Sequence, residues 1–260
     1  MGKPFDITYV FLQLPKLISS LNITLVIVVL SILLGFIFGI VSALPRIYNI
    51  SVLKRLSQVY ISFFRGTPIL IQLFLIYYGL PELFLLIHIS ISKAPVLVFV
   101  VLTYALNSGA FFSEAIRTAI LSVEKGQLEA AYSIGMTGWQ VFRRIIIPQA
   151  LSIAIPVFAN LVIANLKDTS LAFTLGVVEL TGKAQTLAQI TQHFIETYIA
   201  LALIYLAISL LLENLFAISE RYFRRFEGKF EAGKTLLGRK PRWGYLLPSG
   251  IRLQKGGARL

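Results

Sequence analysis

Apolar and polar positions are segregated along this chain, with long apolar runs separated by short connections that hold most of the charge. Five stretches carry no charged residue at all: residues 17–45, 66–81, 94–113, 145–166 and 197–212. A helix rises about 1.5 Å per residue, so crossing a hydrocarbon core of about 30 Å takes about 20 residues. Three of the runs meet that length outright, and the second and fifth reach it by borrowing residues at their inner ends. The pattern therefore predicts five spans, near residues 23–44, 59–80, 94–116, 148–166 and 198–219.

Composition agrees. Hydrophobic residues make up 57% of the chain, mean hydropathy is +0.79 and only 14% of residues are charged, too few for the surface of a soluble domain of this size. The first long apolar run follows Lys16 and is too long for a signal core, although Ser42-Ala43 weakly imitates a cleavage site, so a removable signal peptide is not expected. There are no cysteines, hence no disulfide, thiol nucleophile or thiolate metal site. His88 and His193 lie far apart in sequence, and no metal site is expected on them.

The net charge of +12 changes meaning once it is placed. With the N-terminus outside, the outer segments hold Lys3, Lys16, Lys93, Lys167 and Lys183, and the rest of the 24 basic residues fall on or near the inner side. Cytoplasmic connections are enriched in Lys and Arg, which favours this orientation. The charge then reports topology, with anionic lipid headgroups as its partner, and needs no nucleic acid.

Within this frame, residues 1–22 form an outer segment leading to the membrane. Gly35 and Gly39 in the first span allow close helix packing. The second span places Arg65 one to two turns inside, next to Gly66-Thr67-Pro68. Pro68 breaks a helical hydrogen bond, which membranes tolerate only where protein or water satisfies the freed group. Arg65 is either a functional residue or a side chain that reaches back to the inner interface. The third span carries Asn107-Ser108-Gly109. The fourth carries Asn160 and Asn165, with a kink expected at Pro156, and closes on Lys167-Asp168-Thr169-Ser170, where Asp168, Thr169 or Ser170 could cap a short helix. Residues 184–195 are too polar to span and read as outer or re-entrant. Residues 226–260 form a basic cytoplasmic tail expected to be disordered.

The most informative segment is the connection over residues 117–147. It predicts a short helix over 125–134, ended by Gly135 in the left-handed conformation, with Ala130 and Ala131 leaving a side of little bulk. An amphipathic stretch holding Arg143 and Arg144 then leads to Pro148. Spacing alone favours a solvated helical hairpin.

Glu129-Ala130-Ala131, followed by Gly135 and by Ile147-Pro148, resembles the EAA loop of bacterial ABC importer permeases. Gly126-Gln127-Leu128-Glu129-Ala130-Ala131, Trp139-Gln140-Val141-Phe142-Arg143-Arg144 and Pro148-Gln149-Ala150-Leu151 are similar to the polar amino acid branch of histidine, glutamine, glutamate and cystine type. So are Arg65-Gly66-Thr67-Pro68 with Leu70-Ile71-Gln72, and Lys167-Asp168-Thr169-Ser170-Leu171. The resemblance covers about residues 12–225. It implies an all-α integral membrane protein of type I ABC importer permease architecture, with residues 23–225 as the permease domain in a bacterial inner membrane.

The resemblance further implies that Gly126, Glu129, Ala130, Ala131, Gly135 and Arg143 dock on a cytoplasmic ABC ATPase present in two copies. A second permease chain, identical or not, and an extracytoplasmic binding protein complete the machine. The substrate path is expected along Arg65, Thr67, Asn107, Asn160, Asn165, Lys167, Asp168, Thr169 and Ser170, although helix-to-helix hydrogen bonding would suit any one of the polar residues. Glu124 stands where relatives often have proline. Leu161 and Val162 stand where relatives for cationic substrates place an acid, which favours neutral polar, cystine-like or acidic amino acids over arginine and lysine.

The chain itself is expected to have no catalytic residue and no bound cofactor. Its nearest approach to a phosphate loop, Gly176 to Gly182-Lys183-Ala184, is one residue too long, lacks the hydroxyl and follows no strand. ATP and Mg belong to the partner ATPase. The competing reading is an ion-coupled secondary amino acid transporter, but Glu114, Asp168 and Glu213 all sit near span ends and offer no relay through the core. A membrane enzyme would need a histidine cluster or paired carboxylates that are missing.

Overall fold

The computed structural model describes residues 3–237, with side chains described as far as Arg221. Within that range the chain is helical, without strands. Four helical stretches are long and apolar enough to cross a membrane, Leu21–Ile47, Val96–Leu121, Gly138–Leu175 and Phe194–Arg221, and a bent helix pair makes a fifth candidate. The architecture is that expected from the charge-free runs, with altered boundaries.

Helix α1 (Ile7–Ile18) starts where the Asp6 side chain accepts from the Thr8 backbone N–H. It turns at Ser19 and Ser20 into α2 (Leu21–Ile47). The next three helices, α3 (Ser51–Gly66), α4 (Ile69–Phe74) and α5 (Leu80–Leu85), are joined by the Gly66-Thr67-Pro68 break and by a π-helical turn over Leu75–Gly79. A straight second span over 59–80 is not what forms: the two limbs bend by 115° at the break.

Helix α6 (Val96–Leu121) packs along the whole length of α2. Gly35 and Gly39 permit this. A Cβ on Gly39 would lie 2.7 Å from the Phe112 Cβ, and one on Gly109 would lie 2.7 Å from the Phe38 Cβ and 3.1 Å from the Gly35 carbonyl oxygen. The small residues thus set the interhelical distance. Phe36, Phe112 and Phe158 then meet edge to face beside the seam.

The connection after α6 holds α7 (Lys125–Ser133) and α8 (Gly138–Val141). A π-helical turn, Phe142–Ile146, runs directly into α9 (Ile147–Asp168). The fourth span therefore does not begin afresh at Pro148. The helix is continuous from Gly138, because the widened π turn just before Pro148 accommodates a residue that cannot donate. It also continues through Pro156.

After α9 comes a 3₁₀ segment, Thr169–Leu175, in which the Asp168 side chain makes no capping hydrogen bond. The expected cap at 168–170 is absent because the Thr169 hydroxyl bonds back to Leu166 O instead. Helix α10 (Leu180–Thr191) is capped by Glu179, which accepts from Gly182 N at 2.9 Å. It is this helix that occupies most of the polar stretch 184–195. Finally α11 (Phe194–Leu237) extends well past residue 219. Residues 226–237 of the expected disordered tail continue this helix, and 238–260 lie outside the described residues.

Two cores result. One joins α1, α10 and α11 through Val10, Leu17, Leu180, Ala184, Ala200 and Ile204. The other joins α2, α4 and α6 to the 3₁₀ segment through Ile27, Leu73, Val100, Tyr104 and Ala172.

Candidate functional site

The α7 hairpin presents a surface rather than a pocket. Glu129, Ala130, Tyr132, Ile134, Trp139 and Arg143 are exposed, whereas Ala131 turns inward and is buried. Gly135 has φ +82, the left-handed geometry in which a side chain is strained. Beyond it, Thr137 and Gln140 form a reciprocal capping box for α8. Gly126 is exposed, and a Cβ there would meet nothing within 4 Å. The hairpin is tied to the bundle by Gln149 of α9, whose Nε2 donates to Gln127 Oε1 at 2.7 Å.

A second arrangement forms at the break between α3 and α4. Pro68 has no N–H for Phe64 O, its partner four residues back, so that carbonyl is orphaned. Gln72 satisfies it. This side chain is fully buried, and its Nε2 lies 2.9 Å from each of Phe64 O, Thr67 O and Thr67 Oγ1. Asn107 of α6 donates from Nδ2 to Gln72 Oε1 at 2.9 Å and to Phe64 O at 3.3 Å. Thr67 itself donates to Phe63 O. Thr67 and Asn107, both singled out from sequence, are thus brought together through a glutamine that was not.

Below this network, Glu114 gathers arginines from three helices. Arg46 of α2 lies 2.7 Å away, Arg117 on the same helix 2.5 Å, and Arg65 of α3 4.0 Å. Arg65 is the loosest and most exposed of the three, with a side chain 43% accessible, and its guanidinium sits over the Phe111 ring. One carboxylate facing three guanidinium groups leaves the site positive. Arg65, Phe111, Glu114, Ile153, Val157 and Leu161 line a cavity of about 240 Å³, with charge at one end and an aliphatic wall from α9.

The remaining expected path residues separate. Asn165 is buried, accepting from Ser31 Oγ at 3.1 Å and donating to Ser108 Oγ at 2.8 Å. It stitches α2, α6 and α9 together, so its amide is committed to packing. Thr169 is also buried. The Asp168 carbonyl accepts from the Tyr104 hydroxyl at 2.5 Å, while Ser170 is half-buried beside it. Asn160 and Lys167 are exposed on α9.

The model of the family described as binding-protein-dependent transport system inner membrane component matches residues 32–225, most of the chain. The chain belongs to that family. Among curated relatives, the L-cystine transport system permease protein TcyL of Bacillus subtilis is 49% identical over 225 residues, covering 86% of this chain and 94% of the relative. The glutamine transport system permease protein GlnP of Escherichia coli K12 is 34% identical, covering 84% and 97%. A solved structure described as an amino acid ABC transporter with histidines superposes with a TM-score of 0.75 at 34% identity, covering 85% of this chain and all of that one. The MetNI methionine ABC transporter, at 20% identity and a TM-score of 0.62, shares the fold.

Three features of this permease escape a reading of motifs. Gln72 lies inside a quoted motif, yet only the three-dimensional break shows that it fills the valence Pro68 vacates. Glu179 is a polar residue in an unremarkable connection, and burial raises its pKa against the opposing pull of the Thr181 and Gly182 amides and the Tyr205 hydroxyl. The Arg46–Glu114 pair joins residues far apart in sequence at what look like two unrelated span ends.

Proposed function

We propose that this chain is the translocating subunit of an ATP-driven amino acid importer and that the α7 hairpin receives the motion of a separate ATPase. The observation that carries the coupling is the exposed α7 surface, fixed at one end by the left-handed Gly135 and at the other by the Gln149–Gln127 bond to a spanning helix. A push on such a hairpin reaches α9 without a slack connection. Gly126, Glu129, Ala130 and Arg143 offer the contact surface, and Ala131 and Gly135 hold its shape. ATP and Mg reside in that ATPase, which family membership supports along with a second permease chain and a binding protein. Two ATPases and two permease chains make the symmetric assembly.

The α7 hairpin is cytoplasmic and the N-terminus outside, by the distribution of basic residues. The path runs past Arg65, Thr67 and Asn107, with Asn160, Lys167 and Asp168 further along α9 and Ser170 in the 3₁₀ segment that follows. Asn165 and Thr169 serve packing. Alternating exposure of this path follows from rigid-body toggling of paired permeases.

The substrate is a neutral polar, cystine-like or acidic amino acid. The cavity beside Arg65 holds one acid, Glu114, already engaged by arginines, and its α9 wall is aliphatic. The TcyL relative, named for L-cystine, supports this class. An ion-coupled carrier would need a carboxylate that can gain and lose a proton along the path, and Glu114 between guanidinium groups is a poor one. The test is ATPase stimulation in the reconstituted complex with its binding protein, across cystine, glutamine, glutamate, arginine and lysine. Stimulation by the first three classes supports the reading, and stimulation confined to arginine and lysine contradicts it.

A further inference from the structure

We propose that the apolar groove between α2, α6 and α9 binds one anionic phospholipid, with a single acyl chain in the groove and the headgroup against Arg143 and Arg144. The groove lies on the far side of α9 from the cavity beside Arg65. Its assignment to the inner leaflet rests on the orientation given above, whereas the site itself does not.

The groove has a volume of about 280 Å³, and every side chain lining it is apolar. At its deep end Phe158 meets Phe36 and Phe112 edge to face, with ring centroids 5.9 and 5.1 Å apart. At its mouth stand Leu44 near the end of α2, Ile120 near the end of α6 and Ile146 in the π turn before α9. The ends of α2 and α6 and the start of α9 thus share one membrane face. From Phe36 to Leu44 the groove follows about 12 Å of α2, and from Ile146 to Phe158 about 18 Å of α9. One leaflet of a hydrocarbon core measures about 15 Å. Spread over that length, 280 Å³ leaves a cross-section of about 20 Å², against about 80 Å² for a helix about 10 Å across. The groove admits one thin chain.

Charge at the mouth selects the occupant. Phe142 lines the groove, and the next two residues, Arg143 and Arg144, are exposed. No acidic residue occurs between Glu129 and Asp168, so this whole stretch of sequence is positive. An apolar slot one leaflet deep, with two guanidinium groups at its rim, complements an anionic lipid, whose headgroup each arginine attracts. An apolar helix of a second copy would neither fit the slot nor answer the charge. On the inward side Ala119, Ala150 and Ala154 pack together where α6 meets α9, and this seam separates the groove from the Arg65 cavity. The lipid therefore supports α9 from behind and stays out of the path.

The test is native mass spectrometry of the full chain with its ATPase, after equilibration in detergent with equal amounts of phosphatidylglycerol and phosphatidylcholine of identical acyl chains. The wild type should retain one phosphatidylglycerol per permease chain, preferred over phosphatidylcholine by about tenfold or more. Arg144→Gln, a change at an exposed position, should lower that preference about fivefold, the scale of one basic residue on an anionic headgroup. Leu151→Trp fills the groove and should expel the lipid whatever its headgroup. Leu211→Trp, on α11 away from the groove and 61% exposed, should leave retention unchanged. No preference in the wild type, an unaltered preference in Arg144→Gln, or equal loss of lipid in Leu151→Trp and Leu211→Trp overturns the proposal. Unchanged retention in Leu151→Trp while paired permeases dissociate also overturns it, and assigns the groove to a second copy. None of these readouts involves ATP turnover or sidedness, so failure here is distinct from failure of the importer reading.

Discussion

Gln149 of α9 reaches Gln127 of α7 across 2.7 Å, the polar link between the exposed hairpin and a helix long enough to span the membrane. The same Nε2 also donates to Ile145 O at 3.1 Å, inside the π turn where regular helical bonding is displaced. The side chain therefore holds two weak points at once. Gln149→Leu should uncouple rather than unfold. Losing a net bond of about 1 kcal/mol predicts about a fivefold fall in amino acid imported per ATP hydrolysed, measured in proteoliposomes, with ATPase binding retained.

The α2–α6 seam makes a contrasting prediction about stability. Gly109→Ala would place a Cβ 2.7 Å from both the Phe38 Cβ and the Tyr60 hydroxyl, and overpacking of that kind costs about 1–3 kcal/mol. Gly79→Ala meets nothing within 4 Å in a helical conformation, where alanine is the better former by up to about 1 kcal/mol. Thermal unfolding in detergent should fall for the first variant and hold or rise for the second.

Asn165 should behave as a packing residue. Asn165→Leu removes both of its bonds and leaves the Ser31 and Ser108 hydroxyls without that partner. The expected cost is about 1–3 kcal/mol of stability, with the order of preference among amino acids unchanged. A changed preference without loss of stability would return Asn165 to the path.

The α1 segment is fastened at its start by several contacts, and its helix cap depends on pH. Its Asp6 N–H donates to Glu196 Oε1 at 2.8 Å, Tyr9 stacks on His193 at 3.6 Å between ring centroids, and the Asp6 carboxylate caps α1. Hydrogen bonds from the Thr8 hydroxyl and amide hold the Asp6 pKa below its ordinary value of 3.8. A depressed pKa means the capping contribution is present above the ordinary value and is lost as pH falls through the folded one. Amide exchange in residues 7–10 should therefore speed up, after correction for intrinsic rates, only below about pH 4. Asp6→Asn should remove most of that pH dependence.

How much of this was legible beforehand follows from the range of the interactions. Four spans and the bent pair that makes a fifth candidate could be read because lipid demands long uncharged runs, a demand three of the five runs meet outright. The Gly135 turn could be read for the same reason, since its backbone conformation is a property of one residue. The helix starts at Ser51 and Gly138 could not. Charged residues such as Lys54 and Arg143 mark them as loop in a count of charge, yet a helix tolerates such residues outside the apolar core. Asn165 looked like a path residue because polarity in a span is visible, whereas its partners Ser31 and Ser108 are brought to it only by helix packing. Glu114 looked like a simple boundary marker because Arg46 and Arg65 approach it from other helices.

The central claim is that the energy for transport enters through the α7 hairpin from a separate ATPase. The most direct measurement is uptake of labelled amino acid into proteoliposomes holding this chain, its ATPase and its binding protein, with and without ATP, for the wild type and for Gly135→Val. A β-branched residue is strained at φ +82 by about 1–2 kcal/mol or more. The account predicts ATP-dependent uptake in the wild type, and in the variant a fall of about tenfold or more in uptake while the spans remain folded. Uptake that proceeds without ATP and is indifferent to the substitution would contradict it.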